Sequence, residues 1–218
     1  GYADVLPYFK KAEHNEALDD EFHGQGGPLN VSDATDASTL NNKFIDACEM
    51  NGVPLAADYN GQQQEGAFMY QRTVVNGERC SAAKAYLTPN IERENLTIYT
   101  HALTEKVVIK NRKAVGVRFK QEGQSIEISA DKEVIISGGA FGSPQLLMLS
   151  GVGPAGHLKE KGIDVIKDLP GVGQNLQDHI DYVQTFRTAN TTDTFGLSIR
   201  GSLKMLQSML QWKKHRTG

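Results

Sequence analysis

The feature that most restricts the fold is a change of hydrophobic period at Leu96. From there apolar residues alternate through Leu96–Thr100, Lys106–Ile109, Ala114–Phe119 and Ser125–Ser129, and turn residues separate the runs at Asn111-Arg112-Lys113 and Glu122-Gly123-Gln124. A period of two puts alternate side chains on opposite faces of a strand, so these four runs predict an antiparallel meander. The next segment, Glu133–Ser137, is continuously apolar at Val134-Ile135-Ile136 and closes on Gly138-Gly139. Such a run is expected of a strand buried on both faces of a layered α/β sheet. The predicted fold class is therefore α+β: an antiparallel sheet with flanking helices plus part of an α/β unit.

Helical periods flank this region. Asp4 is a plausible cap for a helix over Asp4–Glu13 with Leu6, Phe9 and Ala12 on one side. A second helix is expected from Ser38, with Leu40, Phe44, Ile45, Ala47 and Cys48 on one face, ending near Asn51-Gly52. Asn76-Gly77 is a strong turn signal, and Ser81 caps a short helix over Ala82–Leu87 that Pro89 breaks. Ser143-Pro144 reads as a cap followed by proline at the first helical position, leading to Ser150 and a stop at Gly151. Helices over Ala155–Lys161 and Ile199–Trp212 complete the pattern, the latter with Leu203, Leu206, Met209 and Leu210 together.

The formal net charge of −3 comes from interspersed acids and bases, which excludes the basic face needed for nucleic acid. The longest apolar stretches are too short to span a bilayer, so no transmembrane segment is expected. Cys48 and Cys80 form no CxxC pair and suit a reducing, cytoplasmic setting as free thiols. No metal-ligand spacing is evident, so no metal site is predicted. Gly1-Tyr2-Ala3-Asp4 lacks the marks of a signal peptide, and both termini read as cuts within a longer polypeptide.

Gly151-Val152-Gly153-Pro154-Ala155-Gly156 satisfies the GxGxxG dinucleotide pattern literally. That fingerprint needs a strand before it and a helix opening inside it, so that backbone N–H groups face a pyrophosphate. Here a helix precedes it and Pro154 removes a donor, so a helix-to-helix corner is expected. Ser137-Gly138-Gly139-Ala140 is different, because small residues at the carboxyl end of a sheet strand let a large ligand approach the backbone. A tight strand-to-helix turn would use the same residues, and the residues alone leave both readings open.

The stretch from Gly139-Ala140-Phe141-Gly142-Ser143-Pro144 through Leu149-Ser150-Gly151-Val152-Gly153 resembles the second signature of the glucose-methanol-choline (GMC) oxidoreductases at all its fixed positions. Further agreement lies at Asp4–Glu13, His23–Leu29, Asn60-Gly61, Arg79–Leu87 and Gly171–His179. The set is most similar to the choline dehydrogenase and aliphatic alcohol dehydrogenase branch. That resemblance implies FAD as cofactor and oxidation of a primary alcohol to an aldehyde, with a histidine taking the hydroxyl proton while hydride passes to the flavin. It also implies a division into mainly substrate-domain and connecting segments at 1–95, part of the FAD-binding domain at 96–178, and the start of a substrate-domain sheet and helix at 179–218.

By the same resemblance, Val107 meets the adenine of FAD through its backbone, and Ser137, Gly138 and Gly139 pass near the adenosine part. Asp181 matches an acidic position that faces the substrate cation in choline-oxidising relatives; as an isolated residue it reads as an exposed aspartate. The adjacent pair Asp178-His179 is expected to serve hydrogen bonding, since neighbours on an extended segment point to opposite faces. The family's diphosphate turn and catalytic histidine have no counterpart in residues 1–218, so no catalytic residue is assigned and the chain by itself is expected to be inactive. An exposed apolar surface, a dimer formed through it, and a parent peripheral to a membrane are further expectations. The competing readings are a non-catalytic module that binds a small molecule or partner, and a non-redox lyase on the same scaffold.

Overall fold

The computed structural model describes residues 1–34, 39–185 and 199–216. The chain divides into two compact units, one of residues 1–96 with 185–218 and the other of residues 97–184. The architecture is α+β, as the change of period predicts.

In the first unit, α1 (Tyr2–Ala12) starts two residues before the expected Asp4 and passes directly into β1 (Glu13–Asn15). β1 pairs in parallel with β2 (Leu29–Val31), and the loop between them lies tightly against the end of α1. A Cβ on Gly24 would sit 2.0 Å from the Lys10 carbonyl oxygen, so only glycine fits that approach. Next comes α2 (Thr39–Met50), whose expected first residue, Ser38, lies outside the described residues. Its Leu40 and Phe44 are exposed. β3 (Val74–Val75) and β4 (Glu78–Arg79) form a hairpin across Asn76-Gly77, both with positive φ, as a type I′ turn requires. The helical segment after Ser81 is a π-helical turn over Ala83–Leu87, and Ser81 Oγ accepts the Lys84 N–H at 3.2 Å. Pro89 does not end it abruptly, because a 3₁₀ turn over Thr88–Asn90 accommodates proline near its start.

The interior of this unit is held by side-chain amides. Asn15, 1% exposed, pairs reciprocally with Gln71: Asn15 Nδ2 donates to Gln71 Oε1 at 2.8 Å and Gln71 Nε2 donates to Asn15 Oδ1 at 3.2 Å. Asn15 Oδ1 also accepts the N–H groups of Ala17 and Leu18. Asn30 Nδ2 donates to Glu16 Oε1 at 2.8 Å and to the Val74 carbonyl at 2.7 Å, tying the β1–β2 pair to the hairpin.

The second unit is built on the meander. Strands β5 (Leu103–Lys110), β6 (Lys113–Gln121) and β7 (Gln124–Ser129) form an antiparallel sheet in that order. Its two hairpin turns, Asn111-Arg112 and Glu122-Gly123, have positive φ throughout. Leu96–Thr100 is not a strand; Tyr99 packs its ring on buried Phe119 (centroids 5.3 Å apart), and the Thr100 carbonyl accepts from Gln121 Nε2. Glu133–Ser137 is not a strand either. No strand among the described residues pairs with it, so nothing supplies the ladder that defines a strand, and Ile135 is 77% exposed.

α3 (Gly139–Leu149) begins at Gly139 rather than at the expected Ser143-Pro144, so Pro144 lies inside it. Ser143 acts one turn further back than a cap at that position would, accepting the Gly138 N–H at 3.0 Å. After the predicted stop at Gly151 (φ 82°), β8 (Val152–Gly153) pairs in parallel with β9 (Lys167–Asp168), and α4 (Ala155–Glu160) lies between them. The GxGxxG match is thus a corner between two helices. Asp168 Oδ1 accepts the Ala155 N–H at the start of α4, and Leu158 of α4 is fully buried.

The final helix, α5 (Ile199–His215), belongs to the first unit. Trp212 Nε1 donates to the Gly77 carbonyl at 2.7 Å, and the Arg216 guanidinium lies over the Trp212 ring while donating to Glu78 Oε1.

Candidate functional site

The strongest structural feature at a predicted site residue is the junction of β5 with the carboxyl end of α3. Val107 is 5% exposed and its N–H donates to Ser150 Oγ at 2.8 Å. Ser150, equally buried, donates its own hydroxyl proton to the Leu146 carbonyl at 2.6 Å. The hydroxyl therefore donates once and accepts once, and a buried N–H that β6 does not take is satisfied. The family resemblance implied a backbone contact at Val107 alone; Ser150 was visible only as a member of the signature. Its part depends on β5 and α3 being neighbours, which no local pattern reveals.

Ser137, Gly138 and Gly139 stand at the other end of α3 and are exposed. Eleven helical residues at about 1.5 Å each separate Gly139 from Val107's partner by roughly 16 Å. The structure thus sets the predicted cofactor residues along one helix and does not gather them at one point. Gly139 has φ +77°, and a Cβ there would meet nothing within 4 Å, so the backbone at the start of α3 is open to approach. Asp181 is exposed, as is Asp178, whose Oδ1 accepts the N–H of His179.

A second group, in the first unit, was not assigned a role from the sequence. His23 is 3% exposed, its Nδ1 lies 2.9 Å from Asp20 Oδ1, and its Nε2 lies 3.7 Å from Asp58 Oδ1. The three side chains offer ligand atoms within 4.8 Å of one another. The two carboxylates address opposite nitrogens of one ring, however, so no single imidazole lone pair faces both; the arrangement holds a histidine in place. The hydrogen bond from His23 keeps the Asp20 carboxyl below the ordinary aspartate value, with burial opposing and the N–H groups of Phe22 and His23 assisting. Tyr59, beside Asp58, stacks on Phe68 with ring centroids 4.5 Å apart.

The chain belongs to the GMC oxidoreductase family, whose model matches residues 1–181. It is 46% identical over 181 residues to an oxygen-dependent choline dehydrogenase from Rhizobium etli, covering 83% of this chain and 33% of the relative. It is 48% identical over 184 residues to the mitochondrial choline dehydrogenase of Homo sapiens, covering 84% of this chain and 31% of that protein. An FAD-dependent oxidoreductase from Chaetomium thermophilum superimposes on 100% of the chain, and on 40% of its own, with TM-score 0.86 at 26% identity. A pyridoxine 4-oxidase from Mesorbium loti matches 78% of this chain and 34% of its own, with TM-score 0.72 at 32% identity. The chain spans about a third of the length of the curated relatives it matches.

Proposed function

We propose that this chain is part of an FAD-dependent oxidoreductase that oxidises a primary alcohol, choline or an aliphatic alcohol, to the aldehyde. The observation that carries this reading is the identity of 46–48% to choline dehydrogenases across more than four-fifths of the chain. In this reading, residues 96–178 contribute to the FAD-binding domain, and residues 1–95 and 179–218 to the substrate domain and its connections. The residues present fit an adenosine-bearing group in one respect: the backbone at the start of α3 is unobstructed at Gly139.

When bound, FAD supplies the hydride acceptor for the reaction. The chain's own part is to hold it. Val107 offers backbone at one end of α3, Ser137, Gly138 and Gly139 offer small residues at the other, with Gly139 open to approach, and Asp181 supplies a negative charge for a cationic substrate. The proton-accepting histidine is assigned to none of the six histidines in this chain, and the chain alone is inactive in this reading.

The test is a polypeptide extended to the length of the relatives, purified and scanned for flavin absorbance, then assayed with choline and with a linear primary alcohol. Bound flavin reduced by either alcohol supports the proposal, and the preferred alcohol names the substrate. Absence of bound flavin, or flavin that neither alcohol reduces, sinks it. A rise in KM for choline in Asp181→Asn, with kcat retained, would assign the cation contact.

A further inference from the structure

Met148 is seated between glycines of two separate segments. It lies one helical turn beyond Pro144 on α3, so the two side chains share a face of the helix. A Cβ on Gly153 of β8 would sit 2.8 Å from Met148 Cγ, and a Cβ on Gly173 would sit 3.3 Å from Met148 Cε and 4.0 Å from Pro144 Cβ. The two glycines thus leave a slot that the thioether fills. Outside it runs the loop 169–174, in which the Leu169 N–H donates to the Gly153 carbonyl at 3.0 Å, the Val172 N–H to the Leu169 carbonyl at 3.1 Å and the Gln174 N–H to the Gly171 carbonyl at 3.2 Å. Two of these three bonds lie within the loop itself, and the Met148 methyl is what seats its far side on α3. Met148 is only partly buried, so a small solute reaches its edge.

We infer that Met148 is a site of reversible oxidation by hydrogen peroxide, and that its sulfoxide releases the loop 169–174 from α3. The sulfur lone pair attacks one peroxide oxygen, an S–O bond forms as the O–O bond breaks, and the other oxygen leaves as water with both protons. An electron pair passes from sulfur to peroxide, and a sulfoxide reductase reverses the change. The new oxygen is a hydrogen-bond acceptor in a slot shaped for an apolar chain. The Gly153 carbonyl beside it is itself an acceptor, already taking the Leu169 N–H, and the buried Leu158 side chain lines the same place. An acceptor held there without a donor is costly, and the least anchored neighbour yields first, which is the loop. Met50, Met205 and Met209 are exposed, so oxidation there opens no packed slot.

The test treats the 218-residue chain with hydrogen peroxide, follows sulfoxide at each methionine by peptide mass spectrometry, and measures hydrogen exchange at the Val172 and Gln174 amides. Once Met148 is oxidised, these two amides should exchange about tenfold faster, the scale of an unpaired polar group in a packed place, while amides of β6 keep their rates. Treatment with methionine sulfoxide reductase should restore the slow exchange. Met148→Leu, which keeps the volume of the side chain, should hold the loop closed in peroxide while Met50, Met205 and Met209 still oxidise. Loop amides that stay protected with Met148 fully oxidised overturn the inference. So does a Met148 that stays reduced after Met50 and Met209 are consumed, and so does opening that persists in Met148→Leu, which would assign it to another residue such as Cys48 or Cys80. The oxidation and reduction cycle on the unsubstituted chain decides the matter even if the leucine variant fails to fold.

Discussion

At the scale of single residues, the structure turns on a few buried polar side chains that bond across each unit, Asn15, Asn30 and Ser150 among them. Ser150→Ala leaves the Val107 N–H without a partner in a buried place, which costs about 1–3 kcal/mol and is measured by denaturant unfolding. A loss under about 0.5 kcal/mol would show that water replaces the hydroxyl. Asn15→Ala strips the reciprocal amide pair and leaves Gln71 half satisfied, with an expected loss of the same order, about 1–3 kcal/mol. The Asp20 carboxyl is lowered by its bond to His23. A carboxyl lower in the fold than in the unfolded chain adds stability above the unfolded value and loses it as pH falls through the folded one. The Asp20 contribution therefore fades below about pH 3.9, and Asp20→Asn should flatten that limb of a stability–pH curve. A limb of unchanged slope would show that other carboxyls carry it.

At the scale of elements, turns and helix stops were the most legible parts of the sequence. Asn76-Gly77 and Glu122-Gly123 make the tight hairpins that their composition demands, because a type I′ turn needs positive φ at both central residues. Gly151 and Gly162 end their helices with positive φ. Helix starts were less legible. Pro144 suggested a first helical position, yet α3 begins at Gly139, where the Gly138 N–H finds Ser143 Oγ instead of an earlier cap. The hairpin of β3 and β4 also receives α5: a Cβ on Gly77 would sit 2.2 Å from the Arg216 carbonyl oxygen, and Gly77 has φ +68°. Gly77→Ala should therefore release the end of α5. Trp212 is the single tryptophan, so its emission should shift to the red and become more accessible to quenchers. An unchanged spectrum would mean that the salt bridge of Arg216 to Glu78 suffices to hold the helix.

At the scale of the molecule, much apolar surface faces solvent. Phe44, Phe141, Ile135, Leu203 and Leu206 are each more than half exposed, and the fully buried apolar core is confined to residues such as Val107, Phe119 and Leu158. No helix among the described residues is long and apolar enough to cross a membrane. Surface of this kind drives association. Sedimentation of the chain should show concentration-dependent self-association that added salt does not weaken, and Leu203→Glu with Leu206→Glu should reduce it. A monomer at all concentrations would show that these side chains are tolerated singly in water.

The sequence by itself determined the class of the fold, the meander, the hairpin turns and the family, because alternation, turn chemistry and a long signature are local properties of the chain. Only the tertiary structure decided which strands exist and what the site residues do. A run such as Glu133–Ser137 becomes a strand when a neighbour supplies its ladder, and none among the described residues does. Ser150 became part of the Val107 contact because α3 lies against β5, and His23, already bonded to nearby Asp20, found a second carboxylate because the loop before β2 meets the turn at Asp58. Hydrogen-bond partners far apart in sequence are set by packing, and packing is decided by the whole chain at once.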